Sequence, residues 1–150
     1  MSKNDKGRLP PFVPLLKETL QSPAWKAMSH GARSLYVALK QRYSQNVHNN
    51  GRIYLPQRIA ADEIGSDTNQ VTRWFRELQH YGFIVMTDPG CLGVDGKGHA
   101  PKWRLTELGY MKDPPTRDFL RWNGERFIEA KKQNPLREST DRCVRENTDT

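Results

Sequence analysis

The sequence has little cysteine and no long apolar run, and both shortages restrict what the protein can be. Cys91 and Cys143 are too few for a disulfide framework or a zinc knuckle, and they are compatible with lone thiols in a reducing cytosol. No stretch approaches the ~18 consecutive apolar residues of a membrane span. The short apolar run at 12–16 is interrupted by Pro14, so no signal peptide is expected. We therefore expect a cytoplasmic protein with no membrane partner.

Motifs for catalysis and for metal or phosphate binding are also missing. The four histidines, at positions 30, 48, 80 and 99, have no metal-ligand spacing with one another or with a cysteine. The glycines of 90–98 lead into no helix, so they do not form a phosphate-binding loop of the GxxxxGK type. No serine, cysteine or carboxylate pair stands in a catalytic setting. The sequence therefore predicts no enzyme activity, cofactor, metal or small-molecule effector.

Positive charge is concentrated in the part of the chain that has apolar patterning. The formal net charge is +7, and hydrophobic residues make up 35%, a share that predicts some solvated tail beside the core. Residues 1–111 carry 15 Lys and Arg against 9 Asp and Glu, or +6, whereas residues 112–150 carry 9 against 8, or +1. This distribution favours a polyanionic partner such as nucleic acid, although a solubilising surface charge would give the same totals.

Apolar periodicity and capping residues predict the helices. Ser22, followed by proline, and Ser29 are helix-start signals, because a serine hydroxyl can accept from the free N–H groups of the first turn. A stripe of apolar residues beginning at Ala32, with i, i+3, i+4 and i+7 spacing, predicts a helix over about 30–44. Two more helices are predicted, from Pro56 to about Ile64 and from about Asp67 to Tyr81.

Short alternating or β-branched segments predict strands. Residues 52–55 form one, and residues 83–87 and 103–105, on either side of a glycine-rich loop, form a β-hairpin with a long tip. The predicted fold class is mainly α with a small β-sheet. The expected domain organisation is a flexible N-terminal arm (1–11), a folded domain (12–112), a C-terminal extension with short helices (113–134) and a disordered tail (135–150).

The segment 55–84 carries the functional signal. A helix-turn-helix needs a small residue where its two helices cross, a tight turn and an apolar residue that anchors the second helix. Ala61, Gly65 and Val71 fit these roles. The run 57–66, with 71–74, resembles the helix-turn-helix of bacterial regulators and replication initiators. The continuation 76–84 resembles the exit from the recognition helix in winged-helix families. The resemblance implies a winged helix-turn-helix with three to four helices and a β-hairpin wing.

The resemblance implies sequence-specific binding of double-stranded DNA, with the recognition helix at about 67–81 in the major groove. The wing, at about 88–102, would contact the backbone or the minor groove. Asparagine can pair with adenine and arginine with guanine, so the exposed face of this helix has suitable reading chemistry. The candidate DNA-binding residues are Arg58, Thr68, Asn69, Gln70, Thr72, Arg73, Arg76, Lys97, His99, Lys102 and Arg104.

Three functions stay open at this point. The first is a transcriptional regulator of a bacterium, phage or mobile element, and a homodimer would suit a palindromic site. The second is the origin-binding part of a plasmid or phage replication initiator. The third is a winged-helix protein-interaction module that binds no DNA. The basic charge and the Asn/Arg face favour the first two over the third.

Overall fold

Five α-helices and a small antiparallel sheet make up the part of the chain that the computed structural model describes, namely residue 7, residues 9–91 and residues 98–128. The expected α+β class is confirmed, with more helices than the three or four predicted. Lys97 and the predicted tail at 135–150 lie outside the described residues. The helices are α1 (Lys17–Gln21), α2 (Pro23–Ala27), α3 (His30–Gln41), α4 (Gln57–Ile64) and α5 (Thr68–His80), and the strands are β1 (Ile53–Tyr54), β2 (Ile84–Asp88) and β3 (Lys102–Leu105).

The capping residues place the helix starts where the sequence predicts them. The Ser22 hydroxyl accepts from the Trp25 N–H at 3.3 Å at the start of α2. The Ser29 hydroxyl accepts from the Ala32 N–H, also at 3.3 Å, at the start of α3. α3 ends at Gln41, about three residues before the predicted end. None of the described helices is both long and apolar enough to cross a membrane.

The sheet has its third strand in the middle. β3 pairs antiparallel with β1 on one side and with β2 on the other, and Trp103 lies opposite both Ile53 and Met86. Trp103 and Leu105 are buried. Because successive side chains on a strand point to opposite faces, the residues that alternate with them lie on the face of the sheet away from the core.

Aromatic rings join the helices, the residue that precedes β2 and the C-terminal segment. Trp25, Tyr36 and Phe83 meet edge to face with ring centroids 5.6–5.7 Å apart. Phe119, in a 3₁₀-helix at Asp118–Arg121, stacks on Phe83 at 4.7 Å and is 2% exposed. The described part of the predicted extension is therefore packed against the same core.

Helix α1 is an element that the sequence did not predict. Its Thr19 is buried and donates to Glu107 Oε2 at 3.0 Å, and the Tyr36 hydroxyl donates to the same oxygen at 2.5 Å. Lys40 pairs with the other oxygen of Glu107. These four polar side chains satisfy one another inside the protein, and they fix a five-residue helix too short to be stable alone.

Cys91 lies between β2 and β3, and the structure places it in a disulfide. The expectation of a lone thiol at this position is therefore wrong. It rested on the small number of cysteines, and that number does not determine the oxidation state of Cys91.

Candidate nucleic-acid interface

Helix α5 has one buried face and one exposed polar face. Val71, Phe75 and Leu78 are 0%, 6% and 0% exposed and hold the helix on the core. Asn69 and Arg73 lie on the opposite side and are exposed. We call the predicted α5 residues of this side the α5 face, and they are Thr68, Asn69, Thr72, Arg73 and Arg76. At 100° per residue, Asn69, Arg73 and Arg76 fall within about one-sixth of a turn of each other, so they form a single stripe.

The N-terminal turn of α5 is closed by its own residues. Asp67 is the N-cap and accepts from the Gln70 N–H at 2.9 Å. The Thr72 hydroxyl donates to the Thr68 carbonyl at 2.9 Å. The backbone of this turn is therefore fixed, while the exposed Gln70 side chain lies beside the α5 face.

The turn between α4 and α5 has a backbone conformation that suits the glycine at position 65. This residue has φ +76°, a left-handed conformation that glycine adopts without strain, and its N–H donates to the Ala61 carbonyl at 2.9 Å. Ala60 and Ala61 are buried where α4 packs. Arg58 is exposed in the first turn of α4, whose N-cap Pro56 makes no side-chain capping bond.

The base of the loop between β2 and β3 is held by short contacts. The backbones of Cys91 and His99 bond to each other at 2.9 and 3.0 Å. His99 Nε2 lies 3.1 Å from Asp88 Oδ1, which also accepts from the Gly90 N–H at 2.9 Å. The Gly90 N–H, followed by His99, holds the pKa of Asp88 below its usual value. The candidate His99 is thus engaged with a carboxylate at the foot of the loop.

Arg104 and Lys102 do not share a side of the sheet with α5. Trp103, between them, stacks on Phe75 of α5 with ring centroids 5.1 Å apart, so its two neighbours point away from that helix. Arg104 donates to the Thr116 hydroxyl at 3.1 Å. The structure therefore brings the candidates on α5 together and places Lys102 and Arg104 on a different surface.

The position of α5 depends on two contacts with α3 that sequence reasoning missed. The Ser29 hydroxyl donates to Glu77 Oε2 at 2.5 Å, and Glu77 is 5% exposed. A β-carbon on Gly31 would lie 2.0 Å from Trp74 Cε2, so α3 and α5 approach closely there. The sequence contains one signal for these contacts: Glu77 lies at the edge of the apolar stripe of α5, one helical turn after Trp74.

Comparison with known proteins identifies no relative of this chain. No protein-family model, no curated protein and no solved structure matches the chain. Within residues 9–91 and 98–128, no group of three or more His, Cys, Asp or Glu side chains could hold a metal ion. A functional assignment therefore depends on the residues and geometry of this chain.

Proposed function

We propose that this protein binds double-stranded DNA as a winged helix-turn-helix, with α5 in the major groove. The observation that carries the proposal is the α5 face, which presents an amide and two guanidinium groups in one stripe on a helix held rigidly from behind. The element order from α3 through β1, α4, α5 and β2 to β3 supports it, since winged helices have this order.

The remaining contacts in this proposal go to the DNA backbone. Arg58, in the first turn of α4, suits a phosphate, because backbone N–H groups also point outward there. Lys97, within the loop of the proposed wing, suits the phosphates beside the groove. Lys102 and Arg104 are left out of the duplex interface, since both lie on the far side of the sheet. The biological role we infer is transcriptional regulation.

The test is a binding assay with duplex DNA from the region flanking the protein's own gene. With about five phosphates neutralised, the slope of log affinity against log salt is expected to be about −4 to −5. Arg121, an exposed cation of the 3₁₀-helix, provides a matched control for charge removal. Arg73→Ala should weaken specific binding much more than Arg121→Ala. Affinity that does not change with salt would overturn the assignment.

A further inference from the structure

The face of the sheet that points away from α5 combines aromatic and cationic side chains. Tyr54 of β1 lies opposite Lys102 of β3, and Val85 of β2 lies opposite Arg104. Residues paired across strands lie on the same side of a sheet, and Lys102 and Arg104 are two positions apart in β3, so these four residues share one side. We call this side, together with Tyr110, the outer sheet face.

Tyr54 is unusually exposed for an aromatic residue in a strand. It retains 59% of its accessible surface, whereas the neighbouring Ile53 retains 1%. Tyr54 therefore contributes little to the core, and its ring is open to a flat ligand next to Lys102, its cross-strand partner. An aromatic face and a cation next to each other suit a nucleobase joined to a phosphate.

The second aromatic of this face is held in place. The Arg104 guanidinium carbon lies 5.5 Å from the Tyr110 ring centroid. The Tyr110 ring also covers Gly51, where a β-carbon would come within 2.2 Å of it. With its hydrogen bond to Thr116, Arg104 is thus fixed between a ring and a hydroxyl. Little side-chain ordering would be needed on binding, which favours affinity.

The charges on this face favour a polyanion. β3 contributes two cations and no carboxylate. Arg52, two residues before Tyr54, is exposed as well. Two carboxylates lie nearby. Asp88 of β2 is the cross-strand partner of Lys102 and also contacts His99 and the Gly90 N–H, and Asp113 lies in the turn after Tyr110. With Arg52, Lys102 and Arg104 against these two carboxylates, the positive charges are in excess.

We propose that the outer sheet face binds single-stranded nucleic acid, with bases stacked on Tyr54 and phosphates held by Lys102 and Arg104. A single strand can turn its bases towards a flat surface, whereas a duplex keeps them stacked inside. The site goes beyond duplex binding by α5, because Trp103 and Phe75 lie between the two surfaces. One protein molecule can therefore hold a duplex and a single strand together.

The direct test measures the anisotropy of fluorescein-labelled dT20 and U20 with three proteins: wild type, Tyr54→Thr and Tyr54→Phe. Tyr54→Thr removes the ring but keeps a residue that favours strands, and about a tenfold loss of affinity is expected. Tyr54→Phe keeps the ring and should bind within about twofold of wild type. The dT20 and U20 arms distinguish DNA from RNA as the source of the strand. Urea unfolding of each variant checks that the fold is intact.

A second test locates the strand and separates it from the duplex site. An oligonucleotide carrying 5-iodouracil, irradiated in the complex, should cross-link to Tyr54, as mapped by mass spectrometry. Arg104→Gln should flatten the salt slope for dT20 by about 0.7, the value for one phosphate on a single strand. Arg73→Ala should weaken duplex binding and leave dT20 binding unchanged.

Several outcomes would overturn this proposal while leaving duplex binding by α5 intact. In the first, wild type binds neither dT20 nor U20. In the second, Tyr54→Thr binds these oligonucleotides with the same affinity as wild type. In the third, duplex DNA displaces dT20 from the protein. If Tyr54→Thr lowered the affinity for duplex DNA but not the affinity for dT20 or U20, the outer sheet face would instead be assigned to contacts with a duplex backbone. A change from dimer to monomer in Tyr54→Thr, by sedimentation, would assign it to a second copy of the chain.

Discussion

The Ser29 hydroxyl caps α3 with one hydrogen bond and joins α3 to α5 with another. It accepts from the Ala32 N–H at 3.3 Å and donates to Glu77 Oε2 at 2.5 Å. Glu77 is thereby buried beside the N-terminus of α3, where the helix dipole favours negative charge. A directional bond of this kind fixes the axial position of α5, which apolar packing alone would leave less defined.

Replacing Ser29 by alanine should therefore cost more than the loss of a helix cap. A cap contributes about 0.5–2 kcal/mol, and a buried acceptor left without its donor adds about 1–3 kcal/mol. We expect the free energy of unfolding, measured in urea, to fall by about 2–4 kcal/mol. Ser29→Ala with Glu77→Gln should cost less than the sum of the two single changes. Strict additivity would show that the two residues do not interact.

Gly31→Ala should destabilise the protein, although alanine is the better helix former. Propensity alone favours alanine by about 1 kcal/mol. The β-carbon would meet the Trp74 ring at 2.0 Å, so the ring or α3 must move. Overpacking of this kind costs about 1–3 kcal/mol. In a Trp74→Leu background the same change should be neutral or stabilising, as measured by thermal unfolding. If Gly31→Ala raises the melting temperature of the wild type, the close approach of the two helices is not as described.

Tyr36 should make the protein sensitive to alkaline pH. Burial, followed by the Glu107 carboxylate, raises the pKa of Tyr36 well above its model-compound value of 10.0. Between pH 10 and the folded-state pKa, the unfolded chain releases this proton and the folded protein keeps it. The stabilisation is therefore complete below pH 10 and is lost as pH rises, by about 1.4 kcal/mol per pH unit.

The measurement compares urea unfolding of wild type and Tyr36→Phe from pH 8.5 to the alkaline limit of the fold. The free energy of unfolding of Tyr36→Phe should be lower than that of wild type at pH 8.5 and should fall less steeply above pH 10. The difference between the two slopes should correspond to the release of about one proton on unfolding. Tyr54→Phe, at an exposed position, is the matched control and should keep the wild-type slope. Parallel curves for Tyr36→Phe and wild type would contradict the prediction.

The proposed duplex interface should show a division between reading and positioning residues. Asn69→Ala or Arg73→Ala should cost about 1–3 kcal/mol at the specific site and relax discrimination between sequences there. Lys97→Ala should weaken all duplexes alike and reduce the salt slope by about 1. The measurement is binding to the preferred site and to a scrambled duplex. If the Lys97 change alters sequence preference while the α5 changes do not, the recognition helix is wrongly placed.

The features that the sequence predicts are those determined by residues close together in the chain. The starts of α2, α3 and α5 follow from Ser22, Ser29 and Asp67, each of which caps an N–H three residues later. The two faces of α5 likewise follow from a repeat within one helix. Helix α1 was missed because its stability depends on Glu107, which no local pattern connects to it.

The candidate site also contains features that local sequence patterns predict and features that depend on distant contacts. Grouping Asn69 with Arg73 needed only the helical period, but Arg104 was assigned to the wing from its position next to the loop. The direction of the Arg104 side chain is set by the packing of Trp103 on Phe75 and by the hydrogen bond to Thr116. Both are contacts between segments that are distant in the sequence. The burial of Glu77 was also beyond prediction, because its partner Ser29 lies 48 residues earlier.

The contact between Thr19 and Glu107 also orders events during synthesis. The two residues are 88 positions apart, so at ~5–20 residues per second Thr19 is synthesised about 4–18 s before Glu107. A five-residue helix cannot persist alone for that time. The segment translated first among the described helices can therefore dock fully only after Glu107 has been made, and until then the nascent chain carries Tyr36 and Lys40 without the carboxylate that they will share.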